Sequence, residues 1–365
     1  MKVPRIFIAA TKQDEGKTTT ALGLFLHLRR RFTDVGFMKP VGQKYVEQKS
    51  GTRVDKDVWL IRESFGISDN PENMSPVIIP SGFTKKYINN RNPKILEHKI
   101  INAFYNISQN KKFVLLEGTG HAGVGSVIDL SNARVAELLE TSVIIVSSGG
   151  IGKPIDEILL NVSLFKERKV KIAGVILNKV LPSKIQQVKD YAGKALAWHG
   201  INLLGVVPFE PLLSEPTLAE VCRKVKGEVL CCEEKLSTLY SNVILAVDYT
   251  SIIPEKIKNK TLIATTGRQA ELLIACSNDD EKEGMSEKIS GILLVDGIEP
   301  KHHILKMLRR AGMPVIITEM SAFDATAKVS SMVAKTRPDN PEKVAEIEKL
   351  FEKNVDIDKI IFSIN

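Results

Sequence analysis

The stretch "IAATKQDEGKTTTALGL" (Ile8 to Leu24) decides the reading of the first half of the chain. An apolar run, Arg5–Ala9, leads into a polar turn, and a helical pattern begins at Lys17. Strand, turn and helix in that order are the setting a phosphate-binding loop needs. Phosphate oxygens rest against backbone N–H groups at a helix N-terminus, where the helix dipole favours negative charge. In such a loop Lys17 reaches the β- and γ-phosphates and the Thr18 hydroxyl serves Mg²⁺. The leading glycine of the common GxxxxGKT form is missing. Thr11 stands five residues before Gly16, and Ala10 holds the place one spacer earlier. A second lysine, Lys12, precedes Lys17 by five residues.

Outward from the loop, short apolar runs alternate with helical patterns. Strands are expected at Arg5–Ala9, Asp34–Met38, Phe113–Glu117, Ser142–Ser147, Ile172–Leu177 and Asn202–Val207. Helices are expected at Lys17–Arg30, Asp55–Phe65, Pro93–Gln109, Asn132–Glu140, Pro154–Glu167 and Ser183–His199. Continuous apolar strands are buried on both faces. Their alternation with helices gives an α/β fold, a parallel sheet with helices on both faces. "VVPFEPLLSEPTL" (Val206 to Leu218) carries three prolines and marks a domain junction near Pro208–Glu220. The alternation then restarts as a second, smaller α/β domain. Its strands are expected at Val243–Val247, Leu262–Thr265, Gly291–Val295 and Val315–Thr318. Its helices are expected at Gln269–Ala275, His302–Ala311, Ala322–Ala334 and Pro341–Glu352. The domains are thus expected over residues 1–217 and 218–365. The polar stretch Ser277 to Lys288 reads as a solvated loop.

The 365 residues suit two cores, and 43% hydrophobic with 26% charged residues is ordinary globular composition. No apolar run has the length of a membrane span. The start of the chain reads as a first strand and not as a signal peptide. Cys222, Cys231, Cys232 and Cys276 show no metal-ligand spacing and read as reduced thiols of a cytoplasmic protein. The net charge of +8 permits an anionic ligand. Scattered basic residues and 6% aromatic content argue against nucleic acid as a principal ligand.

Four landmarks follow the loop in order. They are "VGFMKPVGQ" (Val35 to Gln43), "VDKDVWLIRESFGI" (Val54 to Ile67), "FVLLEGTGHAG" (Phe113 to Gly123) and "GVILNKV" (Gly174 to Val180). With them the chain resembles the dethiobiotin synthetase and cobyrinic acid a,c-diamide synthase group of P-loop proteins. In particular it is similar to the synthetase-like N-terminal region of long phosphate acetyltransferases, which also occurs free-standing. The resemblance implies ATP and Mg²⁺ as cofactors, with Asp14, Glu15, Gly16, Lys17, Thr18 and Thr19 around the phosphates. It implies Thr18, Asp57 and Glu117 as metal ligands, Asp55 being the alternative to Asp57. Glu117 ends a buried strand, which brings its carboxylate out at the sheet edge beside the loop. Asn178 resembles the family's adenine-contacting asparagine. Lys39 resembles the lysine near the transferred phosphoryl group, so Lys12, Lys17 and Lys39 are the candidate catalytic residues.

The Lys12–Lys17 spacing is also similar to that of loops whose earlier lysine reaches a nucleotide held by a partner subunit, which implies a homodimer. Gln13 and Asp14 stand where those loops carry two glycines, and Asp14 could pair with Lys12 within the subunit. Gln43 replaces the family's small hydroxyl residue. "EGTGH" replaces the "EGAGG" type, so His121 is new and reads as a turn histidine. Both changes lie where the synthetase binds its diamino-acid substrate. His302 and His303 read as surface residues.

From about residue 218 the chain resembles the domain named for the motif Asp-Arg-Thr-Gly-Gly. The matching pieces are "LIATTGRQAELLIAC" (Leu262 to Cys276), "GILLVDG" (Gly291 to Gly297), "MPVIITEMSAFDATAKV" (Met313 to Val329) and "KTRPDNPEKV" (Lys335 to Val344). The motif itself is replaced by Thr265-Thr266-Gly267-Arg268. This resemblance implies a regulatory or ligand-sensing module. The sequence offers no expected segment for acetyl transfer. Two functions are expected to compete: an ATP-binding sensor or regulator, and an ATP-dependent ligase that activates a carboxylate as an acyl or carbamoyl phosphate. Either takes an unknown small-molecule co-ligand. Gln43, His121 and the attached domain favour the sensor.

Overall fold

The computed structural model describes residues 3–48, 51–246, 257–269, 288–332, 334 and 340–364. The chain divides into two compact units, Met1–Glu210 with Thr336–Asn365, and Pro211–Lys335.

The first unit is built on a six-stranded sheet. Its strands are β1 (Arg5–Ala10), β2 (Val35–Met38), β3 (Phe113–Glu117), β4 (Ser142–Ser148), β5 (Ile172–Val180) and β6 (Leu203–Pro208). They run parallel in the order β6-β5-β4-β1-β3-β2. Every residue of β2 and β3 is buried, as their continuous apolar runs require. The principal helices are α1 (Lys17–Arg31), α2 (Lys56–Phe65), α3 (Pro93–Ser108), α4 (Asn132–Leu138), α5 (Lys153–Glu167) and α6 (Ile185–Trp198). Helices cover both faces of this sheet, as the alternation requires. Ile8 of β1 pairs in register with Glu117 of β3, so the end of β3 lies beside the start of the loop.

In the second unit, β7 (Glu228–Cys231), β8 (Asn242–Leu245), β9 (Thr261–Thr265), β10 (Ile289–Leu294) and β11 (Val315–Ile317) lie in the order β7-β11-β10-β9-β8. β7 alone is antiparallel to its neighbour. The helices are α7 (Leu218–Val225), α8 (His302–Arg310) and α9 (Ala322–Ser330). α7 begins at the far end of the segment expected to be a junction. Its Thr217 hydroxyl accepts from Glu220 N–H while the Glu220 carboxylate accepts from Thr217 N–H, a capping box that starts a helix despite three nearby prolines. Leu218, Val221 and Val225 of α7 pack with Ala325 and Val329 of α9 on one face of the sheet. Ile304 and Leu308 of α8 pack on the other, with Cys231 and Cys232. Cys222, Cys231 and Cys232 are free thiols. Cys276 and nearly all of the expected helix Gln269–Ala275 and loop Ser277 to Lys288 lie outside the described residues.

The expected second domain, residues 218–365, differs from the observed division at its far end. α10 (Pro341–Asn354) and α11 (Ile357–Ile364) belong to the first unit. Phe351 of α10 is fully buried against α1, and a Cβ added at Gly23 would stand 2.4 Å from its ring. His27 Nε2 of α1 donates to the Glu348 carbonyl at 3.1 Å. After α10, Asp356 N–H donates to Leu204 O at 2.9 Å, and Val355 bridges Gly205. The returning chain thereby covers the edge strand β6, a protection that sheet edges need. No helix among the described residues is long and apolar enough to cross a membrane.

Candidate functional site

The loop between β1 and α1 is held without its leading glycine because β1 runs on. Ala10 N–H donates to Gly120 O at 3.2 Å and Thr11 N–H to Val146 O at 3.0 Å. Neither residue has a positive φ, so a side chain is tolerated at both. Left-handed backbone occurs instead at Asp14 (φ 62°) and Gly16 (φ 92°). Aspartate tolerates this conformation better than most residues, which is why Asp14 can stand where related loops carry glycine. Gly16 is less replaceable, since an added Cβ would lie 2.0 Å from Asn178 Nδ2.

Asn178, at the end of β5, is buried, and its amide donates to Glu15 O at 3.0 Å. Lys179 Nζ donates to Asp14 O at 2.6 Å. Asn178, expected to meet adenine, thus braces the phosphate loop from the side, and Lys179 does so with it. A second brace went unrecognised in the sequence. Asn161 of α5 accepts from Ala122 N–H at 2.8 Å and donates to Thr11 O at 3.3 Å. It could have been found: Ile155, Ile158, Val162 and Phe165 mark the buried stripe of α5, and an amide at 161 falls within it.

α1 begins at Gly16 with no side-chain cap and no acid in its first turn. Its opening N–H groups point their partial positive charge at the loop. Burial lowers the pKa of Lys17 even though Glu117, Asp57 and Asp14 act to raise it. The ammonium is thus incompletely compensated by its own protein.

Four charged side chains meet beside it. Lys39, at the end of β2, is 7% exposed. Its Nζ pairs closely with Asp57, lies 3.2 Å from Asp55 Oδ1 and 3.9 Å from Glu117 Oε1. Burial alone would lower the Lys39 pKa, but Asp57, Glu117 and Asp55 outweigh it and hold the ammonium above its ordinary value. Thr18 Oγ1 donates to Glu117 Oε1 at 3.1 Å. Burial, with Asp57 adding, pushes Glu117 up to about 8. Burial also raises Asp55, against the pull of Lys39. Asp55 and Asp57 lie together at the start of α2. Asp55 caps α2 by accepting from Asp57 N–H at 2.9 Å, and both carboxylates face Lys39.

Among the described residues, no group of three or more His, Cys, Asp and Glu side chains is arranged to hold a metal ion. The oxygen donors nevertheless suit Mg²⁺. Glu117 Oε2 is buried without a hydrogen-bond partner, its other oxygen meets the Thr18 hydroxyl, and Asp57 shares Lys39 with it. Hard oxygen donors of this kind are what Mg²⁺ selects.

Lys12 is half-exposed, with its Nζ 3.3 Å from Glu15 Oε1 and 3.3 Å from Glu157 Oε2. The partner within the subunit is therefore not Asp14. Gln43 and His121 are exposed, and Gly123 N–H donates to His121 Nδ1 at 3.2 Å, as in a turn histidine. His302 and His303 are exposed as well.

Comparison with known proteins places this geometry. The AAA domain family AAA_26 matches residues 4–217, and the DRTGG domain matches residues 220–332. Phosphate acetyltransferase of Nitratidesulfovibrio vulgaris is 25% identical over 362 residues, 96% of this chain and 50% of that protein. The chain spans about half the length of the phosphate acetyltransferases it matches. The ATP-dependent dethiobiotin synthetase BioD of Nitrosopumilus maritimus is 26% identical over 223 residues, 60% of this chain and 95% of that protein. Among solved structures, the septum site-determining protein MinD of Pyrococcus horikoshii, complexed with Mg-ADP, aligns with a TM-score of 0.36 at 18% identity, covering 58% of this chain and 83% of that one. With a family match that spans more than half of its residues, the chain belongs to the AAA_26 family of AAA domains, a P-loop family, and carries a DRTGG domain after it.

Proposed function

We propose that the chain binds ATP with Mg²⁺ at the β1–α1 loop and works as a nucleotide-dependent sensor or regulator. The observation that carries this reading is the incompletely compensated positive end of α1: no cap, no first-turn acid, and a Lys17 ammonium whose pKa burial depresses. A triphosphate supplies the missing negative charge to both. In this reading Lys17 neutralises the phosphates, the loop N–H groups from Asp14 to Thr19 orient them, and Thr18, Asp57 and Glu117 hold Mg²⁺. The bound metal would offset the charge of the phosphates. Asn178 and Asn161 keep the loop in its binding shape. The DRTGG domain is the module that receives or relays a second ligand. A homodimer belongs to the same reading, with Lys12 first released from Glu15 and Glu157 if it is to reach a partner's nucleotide.

A ligase reading is favoured by one feature, the buried Lys39 beside Lys17, where a lysine could steady a transferred phosphoryl group. Titration calorimetry with ATP, with and without Mg²⁺, tests the first reading: saturable binding strengthened by Mg²⁺ is expected, and no binding contradicts it. Screening small carboxylates and amines for stimulated ADP formation tests the second; ADP formation that depends on one of them would displace the sensor.

A further inference from the structure

The buried ammonium of Lys39 occupies the ground between the two carboxylates assigned to the metal. It pairs with Asp57 and lies 3.9 Å from Glu117 Oε1, while Asp55 Oδ1 anchors it from a third side at 3.2 Å. Lys39 is 7% exposed, so water does little to screen these charges. Glu117 Oε2 is buried and unpartnered, and Glu117 itself is 1% exposed. We infer that Lys39 is a tethered counter-cation that competes with the divalent metal for Asp57 and Glu117, and that metal entry with the nucleotide frees it.

This inference rests on the nucleotide and metal reading of the site. Mg²⁺ takes oxygen ligands at short distance in near-ideal octahedral geometry. An ammonium paired with Asp57 cannot stay in place while a doubly charged ion takes the same carboxylate, because the two cations repel at close range. Without nucleotide, the protein offers two carboxylates and a hydroxyl, and the ammonium lies against the carboxylates. With nucleotide, phosphate oxygens add ligands for the metal and a new anion for the displaced ammonium. Asp55 is the pivot of the exchange. Its backbone and side chain are fixed at the start of α2, and its contact with Lys39 does not depend on the metal ligands. The site therefore resists metal alone and accepts metal with triphosphate, so Lys39 changes partners only when both arrive.

Mn²⁺ binding followed by electron paramagnetic resonance tests this, with a non-hydrolysable ATP analogue present or absent. Lys39→Met is expected to bind Mn²⁺ without nucleotide at least about tenfold more tightly than wild type, because one competing charge is gone. Lys39→Met combined with Asp55→Asn lowers the surplus of buried negative charge and provides a second variant should the first not fold. In the wild type, acylation of Lys39, mapped by peptide mass, is expected to stay unchanged with Mg²⁺ alone and to rise when Mg²⁺ and the analogue are added together. Normal Mn²⁺ binding with the analogue, but unchanged metal-only affinity in both variants or Lys39 acylation unchanged by Mg²⁺ and the analogue together, overturns the exchange and leaves the site reading intact. No Mn²⁺ binding with the analogue in any protein overturns the site reading itself.

Discussion

In the second unit's sheet region the buried hydroxyls of Thr261, Thr265, Ser290 and Thr318 each donate to a backbone carbonyl, at 2.7–2.9 Å. At the carboxyl edge of the first unit's sheet, the buried polar groups include Lys39, Asp55 and Glu117, and one oxygen of each acid has no hydrogen-bond partner. A hydrogen-bonded hydroxyl is a settled part of a core. A buried carboxylate with an orphaned oxygen is costly, and such groups gather where a site needs them. The contrast is the one expected if the proposed nucleotide chemistry belongs to the first unit and these four hydroxyls serve the second unit's core.

The contrast can be tested first at the scaffold. A fragment ending at Glu210 lacks α10 and α11 and exposes the face of α1 that Phe351 covers. Phe351→Ala in the full chain is expected to cost about 3–5 kcal/mol. The fragment is expected to melt well below the same fragment joined by a flexible linker to residues 340–365. Equal melting temperatures by circular dichroism would show that α1 does not need this cover.

A smaller effect is expected at Gly16→Ala, where left-handed backbone and the Asn178 amide both oppose a side chain. Strain of about 1–3 kcal/mol distorts the loop and lowers ATP affinity by roughly tenfold or more. Calorimetry that finds wild-type affinity would mean that the loop adapts freely and that Asn178 is not a rigid brace.

The smallest effect is expected in the second unit. Thr265→Val removes the hydrogen bond to Ala246 O and is expected to cost about 1 kcal/mol in chemical denaturation. ATP affinity is expected to stay unchanged. A marked loss of ATP affinity would break the contrast, because a hydroxyl in this unit would then matter to the site.

Much of this arrangement is legible in the sequence. The six strands of the first unit announce themselves as apolar runs, and their alternation with helices gives the parallel sheet. β7 is hidden because "EVLC" (Glu228 to Cys231) is short and only Cys231 is buried. The helical pattern at Pro341 is also plain, but periodicity shows that a helix has an apolar face and not which core receives it. The partner of Phe351 is Gly23, more than three hundred residues earlier, and nothing local to either announces the contact. In the site, Thr18, Lys39 and Glu117 are legible because strand ends and a helix start deliver them to one edge. The joint use of Asp55 and Asp57 is not, since it depends on where Lys39 reaches in three dimensions.

The central claim is that an incompletely compensated positive helix end binds a triphosphate, and Lys17→Ala tests it most directly. The substitution removes a charge-assisted contact of about 1.5–3 kcal/mol. Calorimetry with Mg²⁺ and ATP is expected to show affinity lowered at least about tenfold, with the melting temperature of the unliganded protein preserved. Wild-type ATP affinity in a folded Lys17→Ala protein would contradict the account.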